Sequence, residues 1–260
     1  MSHQLLLTVS HHVARITLHN PPANVLNLSM LKQLEHVLSE VEEDEFVRVM
    51  IVTGSGRFFC AGADLNELAH LNTMHGGAEF AVRGQSLLNR IERSEKPVLA
   101  ALNGTSVGGG LELALACHIR LAAAGIMMGL PEVKLGLIPG FGGTQRLPRV
   151  VGASRAAEMI LTGESLSAEE GQRIGLVSRV VPQHELMAQA EAVATVISSR
   201  GKPAIEAALH AIRGGLDIPL SEGLDREAEL FGRLCATDDK RAAVQAFLEK
   251  RHSRLTEANA

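Results

Sequence analysis

The chain contains no tryptophan and no tyrosine, and its seven phenylalanines are the whole aromatic complement, 3% of 260 residues. Stacking platforms for bases are therefore scarce, which disfavours a nucleic-acid partner. There is no cationic excess either. Twenty-five Lys and Arg stand against 29 Asp and Glu, a formal net charge of −4, and no basic run offers itself to phosphates or a membrane surface. Cys60, Cys117 and Cys235 are odd in number and far apart, which argues against a disulfide framework and for a reducing, cytoplasmic setting. The opening residues, MSHQLLLTV, lack the basic segment of a secretory signal. No run approaches the ~18 uninterrupted apolar residues of a membrane span.

What is present is ordinary globular material, 46% hydrophobic and 21% charged. Strand-length apolar runs occur at 5–9, 13–18, 47–52, 98–102, 119–122 and 176–181, several rich in β-branched residues and bounded by Gly, Asn or Pro. Helix-period patterns lie between them, as at 29–41, where Met30, Leu31, Leu34, Val37, Leu38 and Val41 share a face. Strands alternating with helices indicate an α/β fold. One scheme occurs twice: an apolar strand, a glycine-containing turn and a helical pattern begin at Val47 and again at Val98. Composition changes near residue 200. Nineteen of the last 60 residues are charged, against 35 of the first 200. We therefore expect an α/β core over 1–200, holding the active site, and a helical region over 201–260. In the latter, Leu220, Leu224, Ala228, Phe231 and Cys235 form one stripe, continued by Val244, Phe247 and Leu248, to pack on the core or on a neighbouring subunit.

Chemistry concentrates between residues 97 and 149. Glu112 is the one carboxylate in Pro97–Cys117, set in GGGLELALAC, so its helix has no polar face. A lone carboxylate buried there costs several kcal/mol unless it is paired or protonated, a cost tolerated at functional sites. The alternative is a helix-start Glu favoured by the macrodipole and wetted by solvent. Gly108–Gly110 would present unhindered N–H groups at that helix start, suited to a developing oxyanion. Glu132 follows Pro131, as at a helix start, but Gly136, Pro139 and Gly140 leave room for barely one turn. Such a constrained loop holds a side chain in one place. Arg146 and Arg149 are expected to make ion pairs.

Other motifs fail. Gly140-Phe-Gly142 lacks the third glycine of a dinucleotide fingerprint, and Gly110 stands where a P-loop needs lysine. The eleven histidines show no ligand spacing, so no metal is expected. One rival is concrete. Gly104-Thr-Ser-Val-Gly108 fits the G-x-S-x-G nucleophile elbow, His75-Gly76-Gly77 echoes an esterase oxyanion loop, and His184, His210 or His252 would follow as base. A serine acyl hydrolase using Ser106 would leave Glu112 and the 139–149 segment without a role.

Together these segments resemble the crotonase family, the enoyl-CoA hydratases and isomerases. The residues that carry the resemblance are Asn24-Val-Leu-Asn27, Cys60-Ala-Gly-Ala-Asp-Leu65, Asn103-Gly through Gly-Gly-Gly-Leu-Glu-Leu-Ala to Cys117, Pro131 to Arg149 and Ala246-Phe-Leu-Glu-Lys-Arg251. The resemblance implies a spiral of repeated ββα units followed by helices that assemble trimers, commonly paired into hexamers. It implies an oxyanion hole from the N–H groups of Ala63 and Gly109. A coenzyme A thioester would bind along Ala63, Asp64, Leu65, Asn66 and Gly109. Glu112 would activate water and Glu132 supply a proton, in fatty acid β-oxidation or related acyl-CoA catabolism. No separate cofactor is implied, because coenzyme A is part of the substrate. Two glutamates favour a hydratase over the family's isomerases, the alternative. Two departures stand out: Leu130 where several hydratases carry a polar residue, and His118 in place of an Asp, which is expected to affect packing.

Overall fold

The apolar runs at 49–53 and 98–102 become strands buried on both faces, the pattern that parallel sheets require. A computed structural model describes residues 4–257. Strands β1 (Leu5–Ser10) and β2 (Val13–Leu18) form an antiparallel hairpin at one edge. Strands β3 (Val49–Gly54), β5 (Val98–Leu102), β7 (Ile119–Ala123) and β10 (Arg179–Val181) then add in parallel, giving the order β1-β2-β3-β5-β7-β10. The 176–181 run is strand only in its last three residues. Leu176 and Val177 instead donate N–H bonds back to Gly171 O, forming a turn before the sheet begins. The 47–52 run starts later than its pattern suggests, because Val47 N–H bonds Asp44 O in a turn.

Three of the long strands are each followed by a short one. Strands β4 (Phe58–Cys60), β6 (Thr105–Val107) and β8 (Met127–Gly129) line up in parallel, and β9 (Leu166–Ser167) closes this second sheet antiparallel. The repeat is thus present three times, not two. Its third copy is hard to see in sequence because β8 is three residues long and is followed by a loop. Asn103 ties successive turns: its Oδ1 accepts from Gly54 N–H at 2.8 Å and its Nδ2 donates to Gly56 O at 3.1 Å. The coil of the chain is fixed by such side chain to backbone bonds at each corner.

Helices α1 (Leu28–Glu43), α2 (Leu65–Leu68), α3 (Met74–Glu92) and α4 (Gly109–Ala116) alternate with these strands. Asn27 caps α1, its Oδ1 accepting from Met30 N–H at 2.8 Å, and Met30, Leu31, Leu34, Leu38 and Val41 face the core. All eight residues of α4 are buried, Glu112 among them. His118 closes the end of this unit as a packing residue. Its Nδ1 accepts from Val98 N–H at 2.9 Å and its Nε2 lies 3.2 Å from Glu92 O. Helices α5 (Gly143–Val151), α6 (Ala153–Thr162), α7 (Ala168–Arg173) and α8 (Leu186–Ser198) complete the first unit.

Packing divides the chain into one compact unit through Ile197 and another from Ser198. The second consists of α9 (Lys202–Gly215), α10 (Leu220–Cys235) and α11 (Asp238–Glu257). Neither α9 nor α10 has a buried residue. Leu220 is 78% exposed and Phe231 68%, so the apolar stripe read from sequence lies on the surface. Among the described residues no helix is long and apolar enough to cross a membrane.

Candidate active site

The site is assembled at the start of α4, where two loops meet. Gly108 caps the helix at φ 55°, ψ −133°, a conformation that favours glycine, and Gly109 is the first helical residue. Its N–H has no partner within the helix, as at every helix start. The second loop is 61–64. Leu26 forms a parallel bridge to Ala63, donating to Gly62 O at 2.8 Å and accepting from Asp64 N–H at 3.3 Å. That pairing uses the groups flanking Ala63 and turns the N–H of Ala63 itself away from Leu26. The two loops abut: Ala63 N lies 3.4 Å from where a Cβ on Gly109 would stand, and Gly109 N 3.3 Å from a Cβ on Gly62. Two backbone donors are thereby brought side by side.

Glu112 lies one turn into α4 and is 2% exposed. Its Oε1 accepts from the N–H of Phe141 at 2.8 Å and of Gly143 at 2.7 Å. Burial pushes its carboxyl up to about 7; the Gly143 N–H opposes the rise, the neighbouring Glu132 charge adds to it, and the Phe141 N–H and Arg146 oppose it. A carboxyl with a pKa near neutrality can both accept and release a proton around neutral pH, as acid–base catalysis needs.

Glu132 opens a single 3-10 turn, Glu132–Leu135, ended by Gly136 in the left-handed region. This is the one-turn loop expected between Pro131 and Gly136. Glu132 Oε1 lies 3.1 Å from where a Cβ on Gly108 would stand, so any side chain at 108 would press on the carboxyl. Its Oε2 is buried without a hydrogen-bond partner, and burial raises its pKa. Burial without a partner for that oxygen disfavours the charged form of the group.

Asp64 caps α2, its Oδ1 accepting from Asn66 N–H at 2.8 Å and from Asn66 Nδ2 at 3.0 Å. Leu65 projects from this turn, 61% exposed despite being apolar. Sequence reasoning brought Ala63, Gly109, Glu112 and Glu132 into one neighbourhood, as the structure also does. It missed the Phe141 and Gly143 donors, whose trace in the sequence is only the glycine richness of 140–143. It treated Arg146 as an ion-pairing residue, and Arg146 does pair with Glu92 at 2.8 Å.

The serine-nucleophile alternative fails on geometry. Ser106 is fully buried on β6, and its Oγ has no hydrogen-bond partner. A serine nucleophile needs a base within hydrogen-bond reach. His75 is largely exposed and lies beside Glu79, and His184 is exposed beside Glu185. His210 is exposed on α9, and the side chain of His252 lies outside those described. Among the described residues no group of three His, Cys, Asp or Glu side chains could hold a metal ion.

A ββα spiral that sets two carboxyls beside a pair of backbone donors is the architecture of an acid–base enzyme acting on carbonyl compounds. Comparison with known proteins agrees. The family model for enoyl-CoA hydratase/isomerase matches residues 8–258, and the chain belongs to that family. It is 43% identical over 246 residues to a probable enoyl-CoA hydratase of Bacillus subtilis (strain 168), covering 94% of this chain and 95% of that protein. It is 42% identical over 249 residues to a short-chain-enoyl-CoA hydratase of Clostridium acetobutylicum, covering 95% of each. The crystal structure of an enoyl-CoA hydratase from Bacillus anthracis superposes with a TM-score of 0.91 at 40% identity, covering 95% of this chain and 97% of that one. The crotonase resemblance and fold expected from sequence are borne out.

Proposed function

We propose that this protein is an enoyl-CoA hydratase, adding water reversibly across the 2,3 double bond of a 2-enoyl-CoA thioester to give a 3-hydroxyacyl-CoA. The observation that carries this reading is the pair of buried carboxyls, Glu112 and Glu132, beside one helix start, both with raised pKa values. The thioester oxygen would accept from the N–H groups of Ala63 and Gly109, helped by the positive end of α4. Glu112 takes a proton from water as its oxygen bonds to C3. The double-bond electrons shift toward C2 and the thioester carbonyl, and Glu132 delivers its proton to C2. The reaction is redox-neutral, so these residues need no cofactor. Asp64, Leu65 and Asn66 would border the coenzyme A part of the substrate.

The isomerase reading is weaker, because moving a double bond needs one proton shuttle and leaves the second carboxyl idle. The test is to follow loss of enoyl-thioester ultraviolet absorbance on crotonyl-CoA, with a thiol reagent present. Absorbance loss without thiol release supports the hydratase; free coenzyme A would overturn it.

Assembly and location form part of the same reading. The exposed Leu220, Leu224 and Phe231 on helices without a buried residue support a homotrimer or homohexamer whose subunit contacts cover them. The described cysteines Cys60, Cys117 and Cys235 are free, which suits a reducing cytoplasm, and the hydratase reading places the enzyme in fatty acid or related acyl-CoA catabolism.

A further inference from the structure

Arg146 is 9% exposed, and no step of the proposed reaction uses it. Its guanidinium is held on two sides. Toward the last turn of α3, Nε and Nη2 donate to Glu92 Oε2 at 3.1 and 2.8 Å, and Nη2 donates to Asn89 Oδ1 at 2.6 Å. Toward the site, Nη1 donates to the carbonyl of Phe141 at 2.9 Å. That carbonyl belongs to the peptide between Phe141 and Gly142. The peptides on either side of it supply the two N–H groups that hold Glu112.

A second contact from α3 acts on the first of those donor peptides. Gln85 Nε2 donates to Gly140 O at 2.9 Å. In a trans peptide the C=O and N–H point in opposite directions. The 140–141 peptide therefore accepts from Gln85 on one side and donates to Glu112 on the other. Between these two anchors the Phe141 ring packs on the backbone of Gly84, where a Cβ would come within van der Waals overlap.

We propose that Arg146 and Gln85 are positioning residues of the proposed hydration reaction: acting from α3 and α5, they lock loop 140–143 so that its N–H groups hold Glu112 in place as the base. Of the groups facing Glu112, Glu132 comes from the 3-10 turn and Arg146 from α5. Residues 109–116 of α4 carry no other ionisable side chain. Cys60 on β4 remains a neutral thiol. Glu92 on α3 acts from the far side of Arg146. The charge of Arg146 and the donors it steadies all favour the ionised carboxylate.

The inference rests on the hydratase reading for its activity readout, and direct titration of Glu112 separates the two. Carbon-13 glutamate labelling, with the Glu112 carboxyl assigned by its loss in Glu112→Gln, reports ionisation whether or not the enzyme turns over. Arg146→Met should move the Glu112 titration and the acid limb of kcat to higher pH. At pH 6, kcat should fall about tenfold while KM holds within about twofold. Arg146→Lys keeps the charge without the fork and should fall between Arg146→Met and wild type. Glu92→Gln keeps an acceptor but removes the opposing charge, so the titration should move to lower pH. A brace that served stability alone would lower the melting temperature of these variants and leave the titration where it is; that result overturns the proposal. Should Arg146→Met not fold, Gln85→Met answers the same question, because its loss frees only one peptide. A wild-type enzyme that does not hydrate crotonyl-CoA would sink the functional reading and leave the titration result standing.

Discussion

The N–H of Gly143 donates to Glu112 Oε1 at 2.7 Å, and the approach is so close that a Cβ on Gly143 would stand 3.1 Å from that same oxygen. It would also meet Pro139 Cβ at 2.8 Å and Leu130 Cδ1 at 2.9 Å. Leu130, the departure noted in sequence, thus forms part of the apolar wall that buries the base. Gly143→Ala should therefore push the loop from Glu112 and lower kcat by about tenfold or more, since misplacing a catalytic group by ~1 Å can cost 10²-fold. Steady-state hydration of crotonyl-CoA, with circular dichroism as a folding check, measures this.

Glu112→Gln and Glu132→Gln nearly conserve volume while deleting acid–base capacity. Each should lower hydration by roughly 10²–10⁴. The double variant should lose less than the product of the two factors, because both groups act on one water. Full multiplicativity would mean that they work in separate steps.

The same carboxyl carries a stability cost. Burial raises Glu112 from an ordinary 4.5 to about 7, so between those values the folded state binds more protons than the unfolded state. Stability falls as pH rises through this window, by about 3 kcal/mol in total. Glu112→Gln keeps an acceptor for both N–H groups and never ionises. Its melting temperature should exceed that of wild type at pH 8, with the difference shrinking toward pH 5. Parallel melting curves across pH 5–8 would refute the sign.

Ser106→Ala tests the discarded hydrolase from the stability side. Removing a buried hydroxyl without a partner should leave hydration near normal and raise stability by up to about 1 kcal/mol. Loss of activity in this variant would restore Ser106 to the site.

Assembly gives the last test. Light scattering at micromolar concentration should report a trimer or hexamer of the 27.7-kDa chain. Leu224→Glu with Phe231→Glu, on the exposed stripe of α10, should dissociate it. A wild-type monomer would refute the assembly reading.

Much of this protein was legible in its sequence because the decisive signals are local. Buried strands must be apolar on both faces, so residues 49–52 of β3 and all of β5 stand out as continuous runs. A carboxylate inside GGGLELALAC cannot reach a polar face, so Glu112 declares itself without coordinates. Short strands β4, β6 and β8 do not, because three residues carry no period and exist only through pairing with one another. The tertiary structure alone decided that Phe141 and Gly143, some thirty residues beyond Glu112, supply its hydrogen bonds. It alone turned Arg146 from a generic ion pair into a clamp on the peptide between them. Backbone N–H groups are the same at every residue, so sequence identifies the side chain that needs partners, and only the path of the chain through space determines which peptides become those partners.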